Sequence, residues 1–246
     1  MIKIKLFLSW IFDKSKKRLS YVLGPPSQIT QHDLRPGDIF LYYHAFWNPI
    51  GQIIKWKTGS PYTHASIYLV DGEIAEATPP KIRKSTVQEA LKNCRYIAVF
   101  RSQCGFYDDR TSKLRDFIDR LIQNNSKYDL PGAWTIRNDK LKTNHQIIST
   151  ELLVDFFELV SIPNDRTKNT FFCSALVASC YCEVGIIEPS AEVLLKPELY
   201  SPIGLSQEPA FGYVFGYLLK DGDTIKANDP FLQDSSFKTI MGCDYV

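Results

Sequence analysis

The segment Phe171-Phe172-Cys173-Ser174-Ala175-Leu176-Val177 holds a thiol that could act as a nucleophile. A polar loop over residues 163–170 runs into an apolar helical stretch over 172–184, so Cys173 falls in the first turn of a helix, and Gly185 is a suitable stop. Unpaired N–H groups and the helix dipole at such a position favour the thiolate, the form that attacks a carbonyl carbon. The Cys173 N–H is placed to donate to a developing oxyanion. A cysteine in an apolar helix is most often a buried thiol without chemistry, and the segment alone favours that reading. For Cys180 and Cys182, deeper in the same helix, that reading holds more strongly.

A nucleophilic thiol needs a base, and His64 is the candidate. It follows Ser60-Pro61-Tyr62 at the start of an alternating strand over 63–70. From a strand edge its ring can reach a helix terminus while the sheet fixes its orientation. Taken alone, a single histidine reads more readily as a surface or satisfied core residue.

A third group should orient the histidine, and the hairpin around Asp71-Gly72 offers Glu73 and Glu76. With a two-residue turn, Val70 pairs with Glu73. His64 then shares a face with Glu73 but lies about 20 Å from it, at ~3.3 Å per residue. With a three-residue loop 70–72 and Gly72 left-handed in a bulge, Leu69 pairs with Glu73 and Ser66 with Glu76. His64 and Glu76 then become diagonal neighbours on one face. A carboxylate from this hairpin that orients His64 is therefore Glu76, and its turn carries a bulge.

The elements that must position these groups follow from patterning. Pro36-Gly37-Asp38 turns into a strand over 39–43. A helix is expected over 49–57, ending near Gly59, with strands over 73–78, 95–101 and 212–219. Ser85-Thr86-Val87-Gln88 resembles a capping box opening a short helix to about Leu91. Amphipathic helices are expected over 111–124 and 149–160. A strand cluster flanked by helices makes the class α+β. Residues 1–35 form an amphipathic helix and polar connector, and residues 36–246 one catalytic domain with a helical insertion over 130–170.

Composition limits the function classes. The 246 residues are 44% hydrophobic, with a formal charge of +2 from 29 Lys and Arg against 27 Asp and Glu. That bulk charge excludes a strongly basic nucleic-acid binder. No stretch approaches the ~20 consecutive apolar residues needed to span a bilayer. Six cysteines without a C-x-x-C pair fit free thiols rather than a disulfide scaffold or zinc ribbon. The four histidines lack helix-ligand spacing, so no metal site is expected. Residues 1–18 carry six basic residues against Asp13, with Ile4, Phe7, Leu8 and Ile11 on one stripe. Such a helix either packs on its own domain, which is slightly favoured, or lies on an anionic membrane surface. Without a small-residue cleavage site it does not read as a signal peptide, and the expectation is a cytoplasmic or membrane-peripheral protein.

Several of these segments resemble one family. Pro36-Gly37-Asp38-Ile39, Thr63-His64-Ala65-Ser66-Ile67-Tyr68, Glu76-Ala77 and Phe172-Cys173-Ser174-Ala175-Leu176-Val177 look like the circularly permuted NlpC-type papain-like cysteine hydrolases. The likeness is to their YiiX/YaeF-like branch in particular, with lecithin-retinol-acyltransferase-like enzymes more distant. Lys127-Tyr128-Asp129 is similar to a segment upstream of the family's cysteine, and Ser201-Pro202-Ile203-Gly204 is a weaker echo. The stretch between Asp129 and Cys173 is longer than the family pattern. The resemblance implies a small antiparallel sheet packed on helices, with the nucleophile at a helix N-terminus. It implies a Cys173-His64-Glu76 triad that forms an acyl-enzyme without metal or cofactor, with Tyr62 as the suggested second oxyanion donor. The expected substrate is an amide of peptide or N-acyl amino-acid type. The alternatives are a lipid acyl ester, hydrolysed or transferred at a membrane surface, and a catalytically silent binding module. No nucleic-acid partner is implied.

Overall fold

Strands that alternate side chains between two faces need cover on both, and here helices supply it on either side of one sheet. The computed structural model describes residues 27–43, 49–135, 169–188 and 197–233. Residues 26–226 make one compact unit, while residues 1–25 and 227–246 group as a second, described only over 227–233 with a short helix at Pro230–Gln233. In the larger unit the chain runs β1 (Ser27–Gln28), β2 (Ile39–Tyr43), α1 (Pro49–Thr58), β3 (Tyr62–Tyr68), β4 (Glu73–Thr78) and β5 (Lys81–Thr86). It continues through α2 (Val87–Lys92), β6 (Tyr96–Arg101), α3 (Asp108–Gln123), β7 (Lys127–Tyr128) and α4 (Leu130–Thr135). The last elements are β8 (Thr170–Phe171), α5 (Cys173–Glu183), α6 (Pro202–Leu205) and β9 (Tyr213–Leu219).

The α+β class holds. The sheet order is β1-β9-β6-β2-β3-β4-β5-β7-β8. This sheet is larger than the small antiparallel one expected, and it is mixed. The pairs β1–β9 and β7–β8 are parallel; the other neighbours are antiparallel. The boundary expected at residue 35 falls inside the larger unit, because β1 hydrogen-bonds to β9. The expected helices over 1–18 and 149–160, and the 136–168 part of the insertion, lie outside the described residues.

One face of the sheet buries Phe40, Tyr42, Tyr68, Ile74, Ile97 and Val99 against Val87 and Ala90 of α2. Thr86 caps α2, accepting from the Glu89 N–H while Glu89 returns a bond to the Thr86 N–H. The capping box is thus one residue later than the sequence pattern suggested. The helix α5 packs against β3 and β4. Its residues Cys173–Ala178, Cys180 and Tyr181 are buried, and only Ser179, Cys182 and Glu183 toward its C-terminal end are half-buried, so it is a core helix. Gly185, at φ +72°, ends it as expected.

The Pro36-Gly37-Asp38 turn is a structural joint. Gly37 has φ +84°, and a Cβ there would strike the Phe106 ring. Its carbonyl accepts from Tyr181 Oη of α5 at 2.9 Å. Burial pushes the Asp38 carboxyl up, although Arg101 grips both of its oxygens at 2.7 and 2.8 Å. Arg101→Ala leaves that carboxylate buried and unpaired. We expect a loss of about 3–5 kcal/mol near neutral pH. In urea melts the loss should shrink as pH falls and Asp38 takes up a proton; a loss independent of pH would refute the pairing argument.

Candidate functional site

The hairpin that carries His64 and Glu76 closes through Asp71 and Gly72, both left-handed at φ +52° and +82°. Glu73 donates to the Val70 carbonyl (2.8 Å) and accepts from the Leu69 N–H (2.9 Å). Two residues of one strand therefore face one of the other, which is a bulge. The two turn geometries weighed from sequence occur together: a two-residue turn, then a bulge that sets the register of the longer loop. Ile67 pairs with Ala75, which places Ser66 opposite Glu76.

That register brings His64 and Glu76 into contact. His64 Nε2 donates to Glu76 Oε2 at 2.9 Å. Glu76 Oε1 accepts from Ser85 Oγ (3.0 Å) and from Arg83 Nε and Nη2 (3.0 and 2.8 Å). Arg83 sits directly across from Glu76 on β5. Burial opposes ionisation of Glu76, but His64, Arg83 and Ser85 outweigh it and hold the carboxyl at about 2. The Tyr42 ring leans on the His64 ring at 4.8 Å, and the Tyr42 hydroxyl is hydrogen-bonded to Ser66 Oγ at 2.7 Å.

With Nε2 committed to Glu76, Nδ1 is the nitrogen left for the thiol. Cys173 is the first residue of α5, after Phe172 at the N-cap. Burial pushes its thiol up, yet a hydrogen bond and charge from His64, with N–H groups of Ala65 and Ser174, bring it below the ordinary thiol value. The same pair works on His64: burial disfavours the imidazolium, but Cys173 and Glu76 carry it to about 10. Each member of the pair thus favours the charged form of the other. Ser174, next along, ties the helix start down by donating to the Tyr200 carbonyl at 2.6 Å.

His64, Glu76 and Cys173 open together on a cavity of about 550 Å³. Its wall includes Gly51 and Ile54 of α1, Thr63, Arg83, Ser85 and Tyr128. Tyr128 arrives there because β7 and β8 pair in parallel, with Tyr128 opposite Phe171. Burial, with Cys173 and Asp129 beside it, pushes the Tyr128 hydroxyl well up.

Tyr62 stands elsewhere. The register of β2 with β3 slips between Tyr42, which faces His64, and Tyr43, which faces Tyr62, leaving Thr63 as the extra residue. The slip turns Tyr62 to the face opposite His64, where its ring meets Tyr43 edge-on at 5.6 Å. Thr63, not Tyr62, lines the cavity. Arg83 and Ser85 were not singled out from sequence, because Lys81–Thr86 has one buried apolar residue, Ile82, and does not read as a strand. The signal was there in principle: a two-residue Pro79-Pro80 turn after β4 returns the chain opposite Glu76. Among the described residues no three His, Cys, Asp or Glu side chains are grouped as a metal-ligand set.

The Glu76 carboxyl gives a pH-dependent stability. Its folded value, about 2, lies below the ordinary 4.5. Its contribution is therefore present above about 4.5 and lost as pH falls toward 2. The shift corresponds to roughly 3 kcal/mol. Urea midpoints measured from pH 5 to pH 2.5 should fall more steeply for the parent chain than for Glu76→Gln. Parallel curves would show that the carboxylate is not held in this way.

No family model matches the chain, and no curated protein matches it. Five chains of solved structure are similar. One is metalloprotein yiiX from Escherichia coli O157:H7, 14% identical, covering 79% of this chain and 93% of its own, with a TM-score of 0.39. At this TM-score the likeness decides neither fold nor activity.

Proposed function

We propose that this chain is a thiol hydrolase of the permuted NlpC-type papain-like kind, cleaving an amide of peptide or N-acyl amino-acid type. The observation that carries the reading is the coupling of a helix-terminal thiol to His64, itself held by Glu76, on the wall of a cavity. In the proposed reaction the Cys173 thiolate attacks the carbonyl carbon. The oxyanion so formed meets the Cys173 N–H, which has no acceptor within α5 because it belongs to the first turn. The C–N bond breaks as His64 gives its Nδ1 proton to the leaving amine, and a thioester remains on Cys173. His64, now neutral, takes a proton from water as the oxygen attacks the thioester. Cleavage of the C–S bond releases the acid and restores the thiolate–imidazolium pair. Glu76 stays ionised throughout and holds the ring in the orientation that keeps Nδ1 toward sulfur.

The alternative, an acyl ester of a lipid, draws on the exposed Trp56 of the helix that lines the cavity. The test uses amide and ester probes bearing one common acyl chain, with intact-mass detection of an acyl adduct on Cys173. Adduct and turnover with the amide support the proposal. Turnover of the ester alone moves the assignment to lipid esters. An alkylatable Cys173 that forms no adduct with either probe refutes the hydrolase reading and leaves a binding module.

A further inference from the structure

The cavity wall carries a cation whose donors are only partly used. Arg83 is the only arginine or lysine among the described residues of that wall. Of the five N–H groups of a guanidinium, two donate to Glu76 Oε1, from Nε at 3.0 Å and from Nη2 at 2.8 Å. Both hydrogens on Nη1 and one on Nη2 are left, and they have no other partner among the described residues. The two ends of the pair differ in exposure: the Glu76 side chain is 8% exposed and the Arg83 side chain 53%. A group that served only to clamp Glu76 would gain from being covered along with it. Arg83 instead stays open to the cavity.

The order of contacts sets how far this cation stands from the reacting bond. From the Cys173 sulfur the line runs through His64, then Glu76, then Arg83. Three hydrogen bonds of about 3 Å, with an imidazole and a carboxylate between them, put the guanidinium on the order of 10 Å from sulfur. Arg83 also lies on the leaving-group side, because His64 gives its proton to the amine that departs in the proposed reaction. Extended peptide advances about 3.5 Å per residue. A carboxylate on the first residue after the cut therefore falls short of Arg83. One at the end of a second residue lies about 7 Å from the cut, a hydrogen bond away from the guanidinium. Glu89, another carboxylate on the wall, already has one oxygen occupied by the Thr86 N–H at 3.0 Å.

We propose that Arg83 binds the C-terminal carboxylate of a peptide cut two residues from its end, so that the chain releases dipeptides. This rests on the hydrolase reading and narrows it to peptides with a free C-terminus. One water is consumed per cut: its OH joins the acyl carbon and its remaining hydrogen the dipeptide nitrogen. A carboxylate matches the planar donor fork that Glu76 leaves open, and a guanidinium presents separate edges to two carboxylates. A C-terminal carboxamide brings its own N–H groups against those donors and fills the fork poorly. Arg83 thus selects the substrate with one edge and braces Glu76 with the other.

The test uses three probes with one common acyl group: N-acyl-Gly-Gly, its C-terminal carboxamide, and N-acyl-Gly. Glycine keeps side-chain carboxylates out of the comparison. For the parent chain, kcat/KM with N-acyl-Gly-Gly should exceed that with either other probe by about tenfold, between what exposed and buried ion pairs give. In Arg83→Gln both Gly-Gly probes should slow, since Glu76 loses a charged partner, and the ratio of acid to carboxamide should fall to about one. An unchanged ratio in Arg83→Gln, or a parent chain that treats acid and carboxamide alike, overturns the proposal. A preference for N-acyl-Gly places the anion site beside the cut and overturns it as well. Calorimetric binding of the same probes to Cys173→Ala needs no turnover and separates the two readings. Tighter binding of the Gly-Gly acid there, lost on adding Arg83→Gln, while the parent chain turns over none of the probes, keeps the carboxylate site and sinks the hydrolase reading. Equal binding of acid and carboxamide overturns the site, whatever the turnover.

Discussion

Cys173→Ala is expected to abolish turnover, by a factor on the order of 10⁴ or more, while the chain still folds. The loss is that large because the proposed route is covalent, and a methyl group offers no substitute nucleophile. The folding cost should be about 1 kcal/mol, since one buried sulfur is removed and no backbone hydrogen bond of α5 depends on it. Activity at more than a few per cent of the parent would overturn the assignment, whatever the substrate. The same thiol is open to a measurement that needs no substrate: alkylation by iodoacetamide against pH, read peptide by peptide. Because His64 and the helix start hold the Cys173 thiol below its ordinary value, its rate should persist below pH 7. Burial drives the Cys180 thiol well up and the Cys94 thiol to about 12, so both should stay inert. Cys104 is exposed and serves as the accessible reference. In His64→Ala the acid-side reactivity of Cys173 should disappear. A Cys173 as inert as Cys180 in the native chain would leave the thiolate–imidazolium pair without support.

The hairpin shows why part of this site was legible in the sequence. Gly72 tolerates the left-handed backbone, a short loop sets a register, and the register fixes which glutamate meets His64. All of that information lies within thirteen consecutive residues. Cys173 was legible for a similar reason, since the change from polar loop to apolar helix is local. Tyr62 was misplaced because its side depends on a slip between β2 and β3, and the pairing partner is some twenty residues away. Two residues apart on an ideal strand means one face; a single extra residue, Thr63, cancels that rule. Strand β5 was missed because it lies next to β7 near one side of the sheet, where a strand needs little apolar surface. With it went Arg83 and Ser85, whose roles come entirely from standing across from Glu76. The short parallel pair β7–β8 likewise has no pattern of its own. Its two residues on each side become a strand only when the chain that leads to Cys173 returns beside Tyr128.

Glu76→Gln should cost about 10³–10⁴ in turnover, through the tautomer of His64 rather than through charge alone. The reason lies in Arg83. An arginine has donors only, and two of them point at the Oε1 position. A glutamine there must present its carbonyl oxygen to Arg83; the Ser85 hydroxyl can adapt to either group. The amide NH2 then falls at the Oε2 position, facing His64 Nε2 as a donor. Nε2 must become the acceptor, so the ring proton moves to Nδ1, the nitrogen that faces sulfur. A neutral imidazole protonated on Nδ1 cannot take the thiol proton, and Cys173 alkylation at pH 6 should fall together with turnover. The account has a specific rescue. Adding Arg83→Ala to Glu76→Gln frees the amide to turn over, so its oxygen can accept from His64 Nε2 again. The double variant should therefore be about tenfold faster than Glu76→Gln alone, although Arg83→Ala by itself slows the parent chain. If the second substitution only adds a further loss, Arg83 does not set the amide orientation, and the effect of Glu76→Gln belongs to the missing charge.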